Sequence, residues 1–129
     1  MSKLDDFLGL NDVSEIRETI EVSLGEKKFE MVIRPLTGAE HAAFQRRCNS
    51  MVKNKMYFDN DKYNELILDT CIVEPDFKDA EFLAKVGCLS STDFLKKKFP
   101  AGTLMDIGSK IQKLSGFDVY EVEIEEAKN

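Results

Sequence analysis

The chain has 129 residues, of which 43% are hydrophobic and 33% charged, a balance typical of one globular domain. With 18 Lys and Arg against 24 Asp and Glu, the formal net charge is −6, which argues against a surface that coats nucleic acid. No apolar run reaches the roughly 18 residues of a membrane span, and Asp5 and Asp6 stand where a secretory signal would be apolar. We therefore expect neither a nucleic acid nor a membrane partner.

Residues 1–15 predict a flexible or docking N-terminal segment. Its apolar residues are spaced as a short helical turn; they are Leu4, Phe7, Leu8 and Leu10. Such a segment can dock on the body of the protein or on a partner, and the sequence leaves both alternatives open.

Residues 16–35 predict a β-hairpin. Apolar and polar residues alternate with period 2 on both sides of Gly25, with Ile20 and Val22 before it and Met31 and Ile33 after it. Each arm places its apolar residues on one face, and a two-stranded ribbon is only marginally stable alone. We therefore expect the helices that follow to cover this face.

The first predicted helix opens on a capping box. The Thr37 hydroxyl can accept a hydrogen bond from the Glu40 amide, while the Glu40 carboxylate accepts one from the Thr37 amide. We expect this helix to run to about Val52, with Met51 and Val52 facing inward. Residues 53–60 are then expected to form a polar connection.

Two more helices are predicted in the middle of the chain. The second begins near residue 60 and ends before Pro75. The third covers residues 80–86, with Asp79 as its N-cap and Gly87 as its C-terminal stop.

The last two predicted helices follow Ser90 and Pro100. Ser90 is the expected N-cap of the fourth, with Leu89 and Phe94 placed as a hydrophobic staple. The fifth begins at Pro100, carries an apolar stripe and stops at Gly116. The predicted core is drawn from the apolar faces of these elements: Ile33, Phe44, Leu66, Ile67, Phe94, Leu104, Ile107, Ile111 and Leu114.

Together these elements predict an α+β, mainly helical fold, in which an N-terminal β-hairpin packs against about five short-to-medium helices. Residues 16–117 are expected to form a single globular domain. Residues 118–129 hold five acids and one Lys, and Tyr120, Val122 and Ile124 alternate with glutamates. This segment is an acidic C-terminal tail or an edge strand; its charge density favours the tail.

No catalytic, cofactor or metal site is predicted. His41 lies in the first turns of a capped helix, without a nucleophile motif nearby, so we expect a structural or solvent-facing role. Cys48, Cys71 and Cys88 form no CxxC pair, and their spacing disfavours a zinc site shared with His41. They are expected to be free, small hydrophobic residues in a reducing cytoplasm.

Several segments occur in an order that resembles a known family. These segments are Ile33-Arg34-Pro35-Leu36-Thr37 ahead of Glu40, Val73-Glu74-Pro75-Asp76-Phe77, Ala80-Glu81-Phe82-Leu83 with Gly87, Phe99-Pro100-Ala101-Gly102-Thr103-Leu104 and Leu114-Ser115-Gly116-Phe117-Asp118. Their order and spacing resemble the XkdN-like tail assembly chaperones of long-tailed bacteriophages over roughly residues 18–118. Ala101 departs from the family pattern, in which Pro and Gly are adjacent.

The resemblance implies a non-enzymatic protein in the cytoplasm of the infected bacterial host. Such chaperones bind the tape measure protein, help to recruit the tail tube protein and are absent from the mature virion; many also have a longer, frameshifted form. For this chain we expect self-association and partner binding through exposed apolar residues, the candidates being Leu4, Phe7, Leu8, Phe82, Leu83, Phe94 and Phe99. The alternative is a small acidic regulatory or DNA-mimicking phage protein, although a mimic would spread its acids over a face.

Overall fold

A computed structural model describes residues 2–117; the predicted tail or edge strand over 118–129 lies outside the described residues. The strands are β1 (Glu18–Leu24), β2 (Lys27–Ile33), β3 (Asn49–Val52), β4 (Lys55–Phe58) and β5 (Ile72–Glu74). The helices are α1 (Gly38–Cys48), α2 (Asn60–Cys71), α3 (Ala80–Val86), α4 (Ser91–Lys98) and α5 (Ala101–Leu114). The α+β, mainly helical fold is confirmed.

The predicted N-terminal hairpin is formed by β1 and β2. The strands are antiparallel, Ile20 faces Met31 across them, and Gly25 adopts a φ of 64° in the connecting turn. Both residues of the pair are buried, as the period-2 pattern predicts. A third strand, β5, was not predicted; it pairs with the end of β2, giving the strand order β1-β2-β5.

The core lies between this sheet and the helices. Five of the predicted core residues are buried, namely Ile33, Phe44, Ile67, Ile107 and Ile111. The other four, Leu66, Phe94, Leu104 and Leu114, are partly exposed and pack against the core. α2 contacts α1, α4 and α5, so it is the central helix of the described domain.

The start of α1 is as predicted, but its end is not. The Thr37 Oγ1 atom accepts from the Glu40 amide at 3.1 Å, and Glu40 Oε1 accepts from the Thr37 amide at 3.0 Å. The helix ends at Cys48 rather than near Val52, and the next four residues form β3. Met51 and Val52 are 64% and 49% exposed, so the prediction that they face inward was wrong.

The predicted polar connection over 53–60 is also wrong. Lys53 and Asn54 have φ values of 51° and 65°, as in the two-residue turn of a tight hairpin, and β4 follows. β3 and β4 form a separate two-stranded sheet, which we call the β3–β4 arm (residues 49–58).

The third and fourth helices begin at the predicted caps, and the fifth begins at Ala101, one residue after the predicted Pro100. The Asp79 carboxylate accepts from the Phe82 amide at 2.9 Å, and the Ser90 hydroxyl accepts from the Asp93 amide at 3.2 Å. The predicted hydrophobic staple of α4 is wrong, because the Leu89 side chain is 95% exposed and makes no such contact.

One hydroxyl group joins the C-terminal end of α5 to the segment before α1. The Ser115 Oγ atom accepts a hydrogen bond from the Leu36 amide at 2.9 Å and donates one to the Ile111 carbonyl at 2.6 Å. The two segments it connects are 79 residues apart in the chain.

The N-terminal segment forms two short 3-10 turns, Asp5–Phe7 and Val13–Glu15. The side chains of Leu4, Phe7 and Leu8 are between 65% and 81% exposed. They are therefore not packed into the core of the described domain.

Candidate partner-binding site

Three phenylalanines form a cluster at one end of the sheet. The Phe77 ring stacks on Phe94 at a centroid distance of 5.4 Å, and the Phe82 ring meets Phe94 edge-on at 4.9 Å. Phe82 lies on α3 and Phe94 on α4, so the cluster joins these two helices to the turn after β5. In that turn Asp76 Oδ1 accepts from the Lys78 amide at 3.1 Å, which holds Phe77 in place.

An apolar groove lies beside the cluster. It encloses about 380 Å³, and its lining consists of Leu24, Phe29, Met31, Pro75, Phe77, Phe94 and Phe99, with Glu30 and Lys98 as the charged members. Phe29 is 47% exposed, so an aromatic face is available to a partner at the surface. We call this feature the aromatic groove.

The aromatic groove runs along an open part of β2. β5 pairs with β2 only at Val32 and Ile33, so within the described residues Lys27 to Met31 have no strand partner on that side. Such an edge presents backbone N–H and C=O groups that can pair with an added strand. The groove therefore combines apolar contact area with backbone hydrogen-bonding groups, a combination that suits an extended apolar peptide.

A second cavity offers a poorer site. It encloses about 240 Å³ between α2, α4 and the start of α5. Lys96 and Glu65 on its wall are already paired with each other, which leaves fewer charged groups for a ligand. The aromatic groove is therefore the better candidate.

The perturbed titratable groups lie away from the groove and are structural. The hydrogen bond from Arg34 lowers the pKa of Glu40 to about 2. Burial raises the pKa of the Cys71 thiol to about 12, which leaves it protonated and unreactive at neutral pH. His41 Nδ1 lies 2.5 Å from the Tyr63 hydroxyl, and burial raises the pKa of Tyr63.

Neither a metal site nor a membrane span is found in the part of the chain that the structure describes. Among residues 2–117, no three His, Cys, Asp or Glu side chains come together as a cation site would require. No helix in the same range is long and apolar enough to cross a bilayer.

The family is settled by comparison with known families. The model of the phage XkdN-like tail assembly chaperones matches residues 4–128, almost the whole chain. The chain belongs to this family. No curated protein and no solved structure matches it significantly.

The structure of this tail assembly chaperone brings some of the predicted partner-binding residues together. Phe94 and Phe99 line the aromatic groove, and Phe82 supports it from α3. Leu83 is half-buried on α3 and is not among the lining residues. The three predicted N-terminal residues, Leu4, Phe7 and Leu8, are exposed and do not line the groove either.

Sequence reasoning missed the β2 side of this groove. Phe29 alternates in phase with Met31 and Ile33, which are buried, but the Phe29 side chain is 47% exposed and lines the groove. The segment Pro75-Asp76-Phe77 carried a usable signal, because proline followed by an acidic turn residue marks the end of a strand.

Proposed function

We propose that this tail assembly chaperone binds an extended apolar segment of the tape measure protein in the aromatic groove. In this role it keeps the long partner soluble before the tube is assembled and helps to recruit the tail tube protein. It acts without catalysis, in the cytoplasm of the infected bacterium, and does not enter the mature virion. The DNA-mimicking alternative is set aside because the family is one of tail assembly chaperones.

The observation that carries the proposal is the coincidence of the groove with the open edge of β2. A peptide added along Lys27 to Met31 would gain backbone hydrogen bonds, while alternate side chains would enter the pocket beside Phe29. Aromatic side chains bury a large area at low cost in conformational entropy. The groove therefore supports binding of many apolar segments with modest sequence preference.

The exposed N-terminal segment supplies a second apolar surface. Leu4, Phe7 and Leu8 are surrounded by Asp5 and Asp6, so this surface remains compatible with solubility in the free protein. We infer that it mediates self-association or adds a further contact to the tape measure protein. Several copies of the chaperone could then cover one long partner.

Co-purification with tape measure segments tests the groove. Phe29→Thr removes an exposed aromatic ring from the groove and should weaken the complex about tenfold, the loss typical of an interface anchor. Leu89→Thr is the control, because Leu89 is also an exposed apolar residue, at 95%, and does not line the groove. Equal binding by both variants, with unchanged melting temperatures, would reject the groove.

A salt titration distinguishes burial from charge. If apolar burial provides the affinity, the complex should remain largely intact up to about 0.5 M salt, where exposed charges are screened. Steep dissociation over this range would identify an acidic segment as the contact. Absence of binding at every salt concentration would refute tape measure binding by this chain.

A further inference from the structure

The first residues of the chain form an exposed amphipathic turn. Asp5–Phe7 is a 3-10 helix, and the residues at its two ends, Leu4 and Leu8, also have helical backbone angles. Leu4, Phe7 and Leu8 therefore lie on one face, at the spacing i, i+3 and i+4, and their side chains are 79%, 65% and 81% exposed. We call residues 4–8 the N-terminal turn. Its apolar face is open to solvent in the part of the chain that the structure describes.

The β3–β4 arm exposes two apolar side chains together with a lysine on one of its faces. Val52 lies opposite Lys55 across the two strands, and Tyr57 is two residues further along β4, so the three side chains share a face. Val52 is 49% exposed and Tyr57 is 51% exposed. The opposite face carries Phe58, whose ring lies 5.5 Å from the Tyr63 ring of α2 and anchors the arm on the body of the domain. We call the face of Val52, Lys55 and Tyr57 the outer face of the arm.

These two surfaces carry opposite charge. Residues 4–15 contain four acids and no Lys or Arg, whereas residues 46–58 contain four Lys or Arg and no acid. Within residues 2–117 none of these charged side chains takes part in an ion pair. The arm and its approach are thus a positive region in a chain whose net charge is −6. Each surface therefore combines exposed apolar groups with charges that the other surface complements.

We propose that the N-terminal turn of one copy docks on the outer face of the β3–β4 arm of a second copy. The apolar face of the turn covers Val52 and Tyr57. Its two aspartates, Asp5 and Asp6, then lie beside the lysines at the tip of the arm. Burial of the apolar groups provides the affinity, while the opposite charges set the orientation. The inference rests on the self-association proposed above and names the two surfaces that make the contact.

A second copy is the occupant that these two surfaces favour. In the described molecule the N-terminal turn does not cover the arm of its own chain, because the apolar side chains of both surfaces are about half exposed or more. Every copy therefore presents one surface of each kind, and the two kinds match in charge and in apolar character. A nucleic acid is a poorer occupant of the arm, because the net charge of −6 repels phosphates.

A contact between two different surfaces can repeat from copy to copy. The copy at one end of such a row still has a free arm, and the copy at the other end still has a free N-terminal turn, so the row can grow in both directions. Neither surface contains a residue that lines the aromatic groove. Each copy in the row therefore keeps its groove available, and a row of grooves suits a partner that is much longer than one domain.

Sedimentation equilibrium of the full chain tests the contact in the absence of any tape measure protein. Phe7→Ser and Tyr57→Thr should each raise the dissociation constant for self-association about tenfold, the loss typical of an interface anchor. Met56→Thr is the matched control, because Met56 is 64% exposed on the same strand but points to the opposite face. Threonine suits an exposed strand position, and unchanged melting temperatures would show that the variants fold. Equal weakening by Met56→Thr and Tyr57→Thr would overturn the proposal, as would a chain that stays monomeric up to about 1 mM.

A mixture of the two defective variants tests whether the two surfaces bind each other. Phe7→Ser retains an intact arm, and Tyr57→Thr retains an intact N-terminal turn. At a concentration at which neither variant associates alone, the mixture should form a one-to-one complex that does not grow further. Absence of this complex would overturn the proposal. Self-association that disappears on nuclease treatment would identify a nucleic acid as the occupant and would also overturn it.

Charge reversal tests the proposed orientation of the turn on the arm. Lys53→Glu with Lys55→Glu should raise the dissociation constant for self-association about three- to tenfold, because the lysines then repel the aspartates of the turn. Asp5→Lys with Asp6→Lys should have the same effect. Combining all four substitutions in one chain should restore self-association. Failure of the combined variant to associate more tightly than either reversal alone would overturn the proposal.

The control makes the same charge change away from both surfaces. Lys85→Glu with Lys97→Glu, on α3 and α4, should leave self-association unchanged, and an effect equal to that of the arm reversal would overturn the proposal. None of these measurements contains the tape measure protein. Their failure would therefore refute the contact between copies and leave tape measure binding in the aromatic groove to its own test with Phe29→Thr.

Discussion

The guanidinium group of Arg34 donates two hydrogen bonds to the carboxylate of Glu40. The Nη1–Oε1 distance is 2.9 Å and the Nη2–Oε2 distance is 2.7 Å, so the pair is bidentate. Oε1 of the same carboxylate accepts from the Thr37 amide in the capping box of α1. One side chain therefore fixes the direction in which the chain passes from β2 into α1.

Glu40 should make stability depend on pH in the acid range. Its pKa falls from 4.5 to about 2, chiefly through the hydrogen bond from Arg34. The ionised Glu40 carboxylate therefore adds its full contribution to the free energy of unfolding above about pH 4.5, and this contribution is lost as the pH falls towards 2. Because the pair is partly exposed, we expect about 1–2 kcal/mol. Urea unfolding at neutral pH and at about pH 2 measures this change in the free energy of unfolding. The change should be absent in Glu40→Gln. It should be retained in the control Glu26→Gln, which alters a carboxylate in the β1–β2 turn.

Loss of the Thr37 cap should destabilise the domain by about 1 kcal/mol. Thr37→Ala removes the hydroxyl that accepts from the Glu40 amide, which leaves that donor without its protein partner. Thr37→Ser keeps the hydroxyl and serves as the control. Denaturant unfolding of the two variants gives the difference; a change below a few tenths of a kcal/mol in Thr37→Ala would contradict the role of the cap.

The apolar side chains along one face of α5 should contribute most to stability where they are fully buried. Ile111 is 0% exposed, so Ile111→Ala should cost about 2–5 kcal/mol through lost burial and the cavity left behind. Met105 on the same helix is 69% exposed, and Met105→Ala should change stability by less than about 0.5 kcal/mol. Leu104, which is partly exposed, should lie between them. A cost under about 1 kcal/mol at Ile111 would show that the stripe is not part of the core.

The three cysteines should differ in reactivity. Cys71 is 0% exposed and its pKa is raised to about 12 by burial, and Cys48 is 2% exposed. Cys88 is half-buried and follows the end of α3. A thiol reagent at neutral pH should therefore modify Cys88 first in the folded protein and all three thiols after denaturation. Mass spectrometry gives the rate at which each thiol is modified. Rapid modification of Cys71 in the native protein would contradict its placement in the core.

The elements with a clear local signal were predictable. The period-2 alternation around Gly25 predicted β1 and β2, and the caps Thr37, Asp79 and Ser90 predicted the starts of three helices. In each case one residue type at one position satisfies a backbone group that would otherwise lack a partner. Such signals do not depend on the rest of the fold.

The β3–β4 arm was missed because its strands carry no such alternation. Met51 and Val52 are adjacent apolar residues, as are Met56 and Tyr57, so periodicity favours neither a strand nor a covered face. The Lys53-Asn54 turn was the available signal, since asparagine tolerates positive φ. Only the helix side of the aromatic groove, with Phe94 and Phe99, was predicted. The β2 side is open because β5 is short, and the length of β5 is set by tertiary packing rather than by local sequence.

The hydroxyl of Ser115 also constrains when the domain can fold during synthesis. Leu36 leaves the ribosome early, but its amide finds its acceptor only after residue 115 has emerged. Until then Ile107 and Ile111 are absent from the core as well, and the apolar face of the β1–β2 hairpin stays uncovered. A nascent chain of this protein therefore exposes the same kind of surface that a chaperone exists to protect, for most of the time that it is being translated.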